Sequence, residues 1–213
     1  MAAGVEPTAR WGVGLGRMDD EALARALIAG QPQAARVAWQ RFSPLVRRIL
    51  RRALGPGGEV EDLVQEVFLR LFTKVSALRE PKVLPAFVIS ITTFTLRQAL
   101  RRRKLQSWLG LRSDLAISDL RVVHPDPLAR EALERFYALL DQFSVRDRTA
   151  FTLRFLEGME LSEVAAALGV SLATAKRSVA RGQRRMQAAV ERDPLLRDYL
   201  TAGFGRQGRG AGS

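Results

Sequence analysis

The sequence of 213 residues contains no cysteine and a single histidine, His124. Without cysteine the chain has no disulfide bond and no thiolate metal site. No apolar run approaches the roughly 20 residues that cross a bilayer, because the longest candidate, Val83 to Ile91, is short and contains Pro85 and Ser90. The first residues also lack the continuous apolar stretch of a secretory signal. These absences predict a cytoplasmic protein without a metal, a cofactor or a membrane insertion.

Negative charge is scarce as well. The 22 acidic residues oppose 34 basic ones, of which thirty are arginine, so the net charge is +12 and the sequence pI is about 11.3. Such an excess predicts a polyanionic partner, either a nucleic acid or an anionic membrane surface. The acidic residues form no two-metal cluster on any helix that the pattern predicts, so nuclease or polymerase chemistry is unsupported.

Apolar residues recur at helical spacing along most of the chain, and no pair of segments alternates as β-strands do. Gly55-Pro56-Gly57-Gly58 interrupts the first half, and His124-Pro125-Asp126-Pro127 disfavours helix between the halves. The sequence therefore predicts an all-α fold of two small helical domains joined by a flexible linker. The expected segments are an N-terminal arm over 1–17, a first domain over 18–104, the linker over 105–128, a second domain over 129–200 and a disordered tail over 201–213.

Residues 161–186 have the pattern of a helix-turn-helix. A short apolar helix stops at Gly169, where a left-handed residue suits glycine, and Ser171 is placed to cap the next helix. That helix has an apolar face of Leu172, Ala175, Val179 and Met186, and an opposite polar face of Thr174, Arg177, Ser178, Arg181, Arg184 and Arg185. The pattern predicts a second helix that enters the DNA major groove, where arginine binds guanine bidentately. The alternative is an amphipathic surface helix with a solvated basic face.

The predicted helix over residues 61–72 also divides into two faces. Its apolar face comprises Leu63, Val64, Val67, Phe68 and Leu71, and its other face carries Asp62, Gln65, Glu66 and Leu69. An acidic face with a central leucine, on so basic a protein, indicates a protein-docking surface rather than one that faces DNA. A solvated helix face is the alternative interpretation.

The segment from Glu61 to Phe72 is similar, almost residue for residue, to the polymerase-binding helix of bacterial sigma factors. The resemblance is closest to the extracytoplasmic-function (ECF) type of the sigma-70 family. Ala38 to Arg48 resembles the first helices of that family. Leu153 to Gly158, followed by the helix-turn-helix, resembles its second conserved domain. The resemblance covers residues 18–104 and 129–200 in the family's order and spacing.

This resemblance implies a transcription initiation factor that binds the clamp and flap of core RNA polymerase and directs it to promoter DNA. Asp62, Gln65 and Glu66, with Leu69 beside them, match the positions that contact the clamp. The positions that face the −35 promoter element are matched by Lys176, Arg177, Ala180 and Arg181, with Thr174 and Arg184 on the same side. Among these, Arg181 is the candidate for a guanine contact and Lys176 for a phosphate contact. An anti-sigma factor is a further partner that the resemblance leaves open.

The helix expected from about Pro85 to Lys104 corresponds to the family's −10-reading region, but its sequence departs from the family pattern. Family members commonly carry Trp-Leu-x-x-Ile-Ala-Arg-Asn, whereas this chain has Phe87-Val-Ile-Ser-Ile-Thr-Thr-Phe94. Phe94 therefore either stacks on a flipped base or is a buried core residue. Arg97, Arg101 and Arg102 retain the positive charge that a DNA strand requires. We expect altered −10 specificity.

The sequence thus predicts a sigma factor that confers promoter specificity without catalysis. One alternative is a sigma-like, stand-alone DNA-binding regulator that no longer supports promoter opening. A second is a nucleic-acid-processing enzyme that uses the helix-turn-helix for targeting, which the missing acidic or histidine cluster disfavours.

Overall fold

The computed structural model of the protein describes residues 19–55, 59–109 and 126–198. These residues are helical with short connections, and no strand occurs among them. The expected N-terminal arm over 1–17 and the tail over 201–213 lie outside the described residues, as does 110–125 of the expected linker.

Four α-helices and two 3₁₀ turns form the first domain as the structure describes it. The helices are α1 (Asp20–Ile28), α2 (Pro32–Leu54), α3 (Glu59–Lys74) and α4 (Leu84–Trp108), with the 3₁₀ turns Val75–Ala77 and Pro81–Val83 between α3 and α4. Helix α4 starts where Pro85 can occupy the first turn without loss of a hydrogen bond. It runs one turn beyond the expected end at Lys104, so the helix continues into the segment expected to be linker.

The apolar face predicted for α3 forms the centre of this domain. Leu63, Val64, Val67, Phe68 and Leu71 are all buried, where they pack against α2 and α4. The opposite face of α3 remains at the surface. Because burial of the apolar face fixes the rotation of the helix about its axis, the core determines which α3 side chains face outward.

The second domain contains α5 (Pro127–Asp141), α6 (Val145–Phe151), α7 (Leu161–Leu168) and α8 (Leu172–Arg192), with a π-helical turn over Thr152–Leu156. Serine side chains cap two helices of this domain, and the cap predicted at Ser171 is confirmed. The Ser144 hydroxyl accepts from the Asp147 amide at 3.1 Å, and the Ser171 hydroxyl accepts from the Thr174 amide at 3.3 Å. Gly169 joins α7 to α8 with a φ of +64°, the left-handed conformation that the turn requires.

The two domains pack directly against each other. Helix α4 of the first domain contacts α6 and α7 of the second, and one buried apolar cluster continues from the first domain into the second. A separate cluster within the second domain comprises Phe136, Leu140, Phe143, Phe151, Met186 and Leu196. A cleft of about 410 Å³ remains between Pro85 and Ile89 on one side and Met159 and Ala166 on the other. Sequence reasoning, which predicted domains joined by a linker, did not anticipate this docking.

Residues Pro81–Trp108 are long and apolar enough to cross a membrane by length and composition alone. The expectation that no segment is long and apolar enough to cross a bilayer was therefore wrong by length and composition. However, 61% of the apolar 18-residue stretch within this range is buried inside the protein, which is typical of a helix at the centre of a folded core.

Candidate functional surfaces

One face of α3 carries the four residues expected to contact a protein, hereafter the α3 surface: Asp62, Gln65, Glu66 and Leu69. Asp62 and Gln65 are exposed, Glu66 is half-buried, and Leu69 is 71% exposed. Glu66 accepts from Arg70 at 2.6 Å, one helical turn away. An apolar side chain that is this exposed, among acidic and amide groups, provides a docking point for a partner protein.

The neighbouring Glu61 is not part of this free surface. Its carboxylate accepts from Arg47 at 2.8 Å and from Arg51 at 3.2 Å, both on α2. The hydrogen bond from Arg47 lowers the pKa of Glu61 and outweighs the opposing effect of burial. Glu61 therefore fixes the start of α3 against α2.

Helix α8 exposes most of the side chains expected to face DNA, hereafter the α8 surface. Lys176, Arg177, Ala180, Arg181 and Arg184 are exposed, and Thr174 is half-buried. Thr174 accepts a hydrogen bond from Arg177 at 3.1 Å. The basic groups thus project from one side of the second helix of the helix-turn-helix, as major-groove contact requires.

Two positions of α8 lie on the opposite side from the one expected. Ser178, assigned to the polar face, is fully buried, and Leu172, assigned to the apolar face, is 46% exposed. Gly182, one turn after Ser178 on the same side of α8, lets the helix approach the rings of Phe143 and Phe151, which an added Cβ would meet at 3.3 Å. Ser178 therefore lies on the side of the helix that packs closely against the core.

Arg181 is engaged within its own domain. Its Nη2 donates to Asp147 Oδ1 at 2.8 Å, and its Nε donates to Asp147 Oδ2 at 3.1 Å. Burial raises the pKa of Asp147, but hydrogen bonds from Arg181 and the neighbouring serines outweigh it, so the net shift is downward. No pattern in the sequence pairs Asp147 with Arg181.

Phe94 is on the surface of α4, with 45% of the residue exposed. The interpretation of Phe94 as a buried core residue was therefore wrong. The guanidinium of Arg70 lies 5.0 Å from the centre of its ring and the ammonium of Lys74 lies 5.7 Å away. Arg70 also donates to Gln98 at 2.7 Å. An exposed ring beside two cations is suited to an unpaired base and its phosphate.

The basic residues of α4 that were expected to contact DNA differ in their surroundings. Arg101 and Arg102 are exposed, whereas Arg97 is half-buried and donates to the Leu168 carbonyl at 3.2 Å. Burial, together with repulsion from Arg101 and Arg146, lowers the pKa of Arg97. A residue expected to contact the −10 element therefore lies against the end of the first helix of the helix-turn-helix.

The basic run of α2 contributes to domain docking, which sequence analysis did not predict. The Glu157 side chain is fully buried and accepts from Arg48 at 2.9 Å and from Arg52 at 3.1 Å. From the other domain, the buried Arg148 donates to the Ala53 carbonyl at 2.8 Å. Arginines from both domains thus bind carbonyl groups and a carboxylate across the interface.

Together the surfaces define a class: a two-domain helical DNA-binding protein that has a helix-turn-helix and a separate surface for a protein partner. Within the described parts of the chain, no group of three or more histidine, cysteine or acidic residues is placed to hold a metal ion.

Comparison with known proteins identifies the family. Sigma-70 region 2 matches residues 38–106, and Sigma-70 region 4 matches residues 133–186. The ECF RNA polymerase sigma factor SigF of Caulobacter vibrioides is 32% identical over 67% of this chain and 75% of its own length. SigX of Bacillus subtilis is 29% identical over 67% of the chain and 74% of its own length. SigE of Mycolicibacterium smegmatis is 28% identical over 79% of the chain, which spans 63% of the SigE sequence.

Solved structures agree on the fold. CnrH, in complex with the cytosolic domain of CnrY, superposes with a TM-score of 0.60 at 21% identity, over 82% of this chain and 98% of CnrH. The sigma factor RpoE of Bartonella quintana, in complex with the anti-sigma factor NepR, gives 0.54 at 21% identity, over 74% of this chain and 97% of RpoE. The chain belongs to the sigma-70 family of RNA polymerase sigma factors and is of the ECF type. It is a transcription initiation factor that directs RNA polymerase to promoters.

Proposed function

We propose that the α3 surface binds the clamp of core RNA polymerase, that the α8 surface reads the −35 element, and that α4 contacts the −10 element. The protein acts by binding alone, in the cytoplasm, and carries out no catalysis of its own. The observation that carries this assignment is the separation of charge. An acidic, leucine-centred surface lies on α3, while exposed arginines lie on α4 and α8.

Separate surfaces allow simultaneous binding to two partners of different charge. The exposed Leu69 supplies an apolar anchor for a protein, and Asp62 and Glu66 repel DNA phosphates from the same place. On α8, Lys176, Arg177 and Arg184 supply cations for phosphate and base-edge contacts. On α4 the proposed partner is DNA whose bases are unpaired. The ring of Phe94 stacks on a base, and the phosphates are bound by Arg97, Arg101 and Arg102.

An anti-sigma factor is a further partner in this proposal. Support comes from the RpoE structure, in which that sigma factor is bound to the anti-sigma factor NepR.

A charge-reversal variant tests the polymerase-binding surface. The double variant Asp62→Arg/Glu66→Arg should lose co-purification with core polymerase, because both changes place cations where the proposed contact needs anions. Glu80→Arg/Glu191→Arg is the matched control, since it makes the same change in charge at exposed positions elsewhere. Full retention of core binding by the Asp62/Glu66 variant would show that the α3 surface is not the clamp-binding site.

A second variant removes an ambiguity in that experiment. Because Glu66 is paired with Arg70, which also contacts Phe94, its reversal disturbs the α4 surface as well. Asp62→Arg/Leu69→Arg leaves the Glu66–Arg70 pair intact and should lose core binding equally.

The stand-alone regulator remains the second candidate, because the sequence around Phe94 departs from the family pattern. Run-off transcription with core polymerase over a library of promoter sequences separates the two. We expect transcripts from a subset of promoters. A complete lack of transcripts, together with specific DNA binding, would favour the regulator.

A further inference from the structure

Helix α4 exposes a second aromatic side chain besides Phe94. Trp108, in the last turn of the helix, is 87% exposed. The two residues are fourteen positions apart, which at helical geometry places them about 21 Å apart along the axis and within about 40° of the same direction. Both rings therefore lie along one face of α4.

The stretch between the two rings is cationic. Arg101 and Leu105 lie on the same face, at helical spacings that connect Phe94 with Trp108. Helix α4 contains no carboxylate along its whole length, from Leu84 to Trp108. Its exposed cations Arg101, Arg102 and Lys104 have no ion-pair partner among the described residues.

The remaining basic residue of this run, Arg103, is half-buried. Arg103 points to the other side of the helix, where it donates to Glu59 and to the Leu54 carbonyl, each at 2.8 Å. Arg103 is thus used within the fold, on the side of α4 away from Phe94 and Trp108.

The docked second domain does not cover the end of this face. Between α4 and the junction of α5 with α6 lies a recess of about 620 Å³, with Ser107 and Trp108 on one side and Gln142 and Phe143 on the other. The indole therefore lies at the rim of an open recess rather than in a packed interface.

We propose that Trp108 is a second base-stacking site, which extends the DNA-binding surface of α4 to the end of the helix and takes single-stranded DNA. The inference rests on one part of the proposed function, namely that α4 contacts DNA whose bases are unpaired. Aromatic rings joined by cations are the combination that binds single strands with little sequence preference. The distance between the rings corresponds to about six base steps at a rise of 3.4 Å. Single-stranded DNA complements both kinds of group on this face, because its phosphates bind the cations and its bases stack on the rings. A protein partner would have to supply acidic and apolar groups in the same alternation.

The fluorescence of Trp108 gives a direct test. In the full chain carrying Trp11→Phe/Trp39→Phe, Trp108 is the remaining tryptophan. The probes are mixed-sequence 12-nucleotide single strands and the duplex of the same sequence. Stacking on a base should quench the indole emission with the single strand, and the duplex should quench it much less.

Substitutions at Trp108 measure the contribution of the ring to affinity. Trp108→Ala should weaken binding of the 12-nucleotide single strand about 5- to 150-fold, which corresponds to the 1–3 kcal/mol of one stacked base. Trp108→Phe should retain most of the affinity, because it keeps an aromatic face. Leu128→Ala is the matched control and should leave the affinity unchanged, since it removes an exposed apolar side chain on α5 rather than on α4.

Three results would overturn the proposal. The first is unchanged single-strand affinity in Trp108→Ala. The second is an emission that reports a buried indole in the free protein and ignores DNA, which would mean that another part of the chain covers the ring. The third is an emission that responds to core polymerase but not to DNA, which would assign the face to a protein contact.

The test is separable from that of the proposed function. Trp108 is not part of the α3 surface, so core-polymerase binding by Trp108→Ala should equal that of the wild type. If promoter-directed transcription fails for the wild type while Trp108 still stacks on single strands, the proposed function is wrong and the stacking site stands. Normal transcription with no response from Trp108 would leave the proposed function intact and overturn the stacking site.

Discussion

Arg181 and Asp147 connect α8 to the start of α6 through two hydrogen bonds of 2.8 Å and 3.1 Å. The arginine side chain is 45% exposed, whereas the aspartate side chain is 6% exposed. A buried carboxylate therefore orients the guanidinium that the sequence assigns to a guanine contact. The arrangement gives Arg181 a structural role, and it leaves Nη1 without a hydrogen bond to Asp147.

The first prediction concerns stability. Arg181→Ala should lower the free energy of unfolding by about 1–3 kcal/mol, because it leaves the buried Asp147 carboxylate without its charged partner. Thermal or chemical denaturation of the full chain measures this. Arg177→Ala is the control, since Arg177 is exposed and bonds only to Thr174 among the contacts described. Equal stability of the two variants would contradict a structural role for the Arg181–Asp147 pair.

The second prediction concerns DNA specificity at the same residue. Arg181→Ala should also weaken discrimination at one −35 base pair by about 1–3 kcal/mol, as expected for loss of a base contact. Competition binding with single-base variants of a −35 site measures this under conditions where the variant is fully folded. Equal losses of affinity on specific and random DNA would make Arg181 a phosphate contact instead.

The third prediction concerns pH. The folded-state pKa of Asp147 is below the ordinary value of about 3.9, so its ionised form stabilises the folded protein. This contribution is complete above the unfolded-state pKa and is lost as the pH falls through the folded-state value. The stability difference between wild type and Asp147→Asn should stay constant from pH 7 to about pH 5 and narrow below about pH 4. A difference that persists unchanged to pH 3 would refute the assignment.

The Arg181–Asp147 pair also illustrates what the sequence can predict. Apolar spacing predicts both faces of α3, since burial of Leu63, Val67 and Leu71 fixes the rotation of the helix. Gly169 and Ser171 predict the turn of the helix-turn-helix because each has a local conformational reason. The pairing of Arg181 with Asp147 joins residues 34 positions apart, and no local rule selects one partner among the chain's 22 acidic residues.

The docking of the domains was not predicted because its ion pairs also join residues that are far apart in the sequence. Arg48 and Arg52 belong to an arginine-rich run of α2, and nothing in the sequence around them indicates a partner within the chain. Their partner Glu157 is more than 100 residues away, so only the tertiary fold brings them together. Ser178 was misassigned because its burial follows from the close approach at Gly182, which helical periodicity does not reveal.

The fourth prediction concerns Phe94. Phe94→Ala should impair promoter opening, because it removes the ring proposed to stack on an unpaired base, an interaction worth about 1–3 kcal/mol. Permanganate reactivity of unpaired thymines in the polymerase–promoter complex measures opening. Phe94→Tyr is the control that keeps the aromatic face beside Arg70 and Lys74. Binding to core polymerase should be unchanged in both variants, and wild-type opening by Phe94→Ala would contradict the stacking role.

If α4 contacts the −10 element and α8 the −35 element, as proposed, we expect promoter binding to require the docked domains to separate. The −10 and −35 elements lie about 25 base pairs apart, which is about 85 Å of B-form DNA at 3.4 Å per base pair. In the docked arrangement Arg97 of α4 is 3.2 Å from the Leu168 carbonyl at the end of α7. The α4 and α8 surfaces therefore cannot contact both elements at once.

The fifth prediction tests the interface that holds the domains together. Glu157 accepts from Arg48 and Arg52 with its side chain fully buried, so Glu157→Gln removes the charge that both arginines bind while keeping the shape of the side chain. Small-angle scattering of the free protein should show a larger radius of gyration in this variant, because the docked arrangement becomes less populated. Glu131→Gln, a change to an exposed ion pair within α5, should leave the radius unchanged. An unchanged radius in Glu157→Gln would mean that the apolar contacts of α4 with α6 and α7 hold the domains together without the ion pairs.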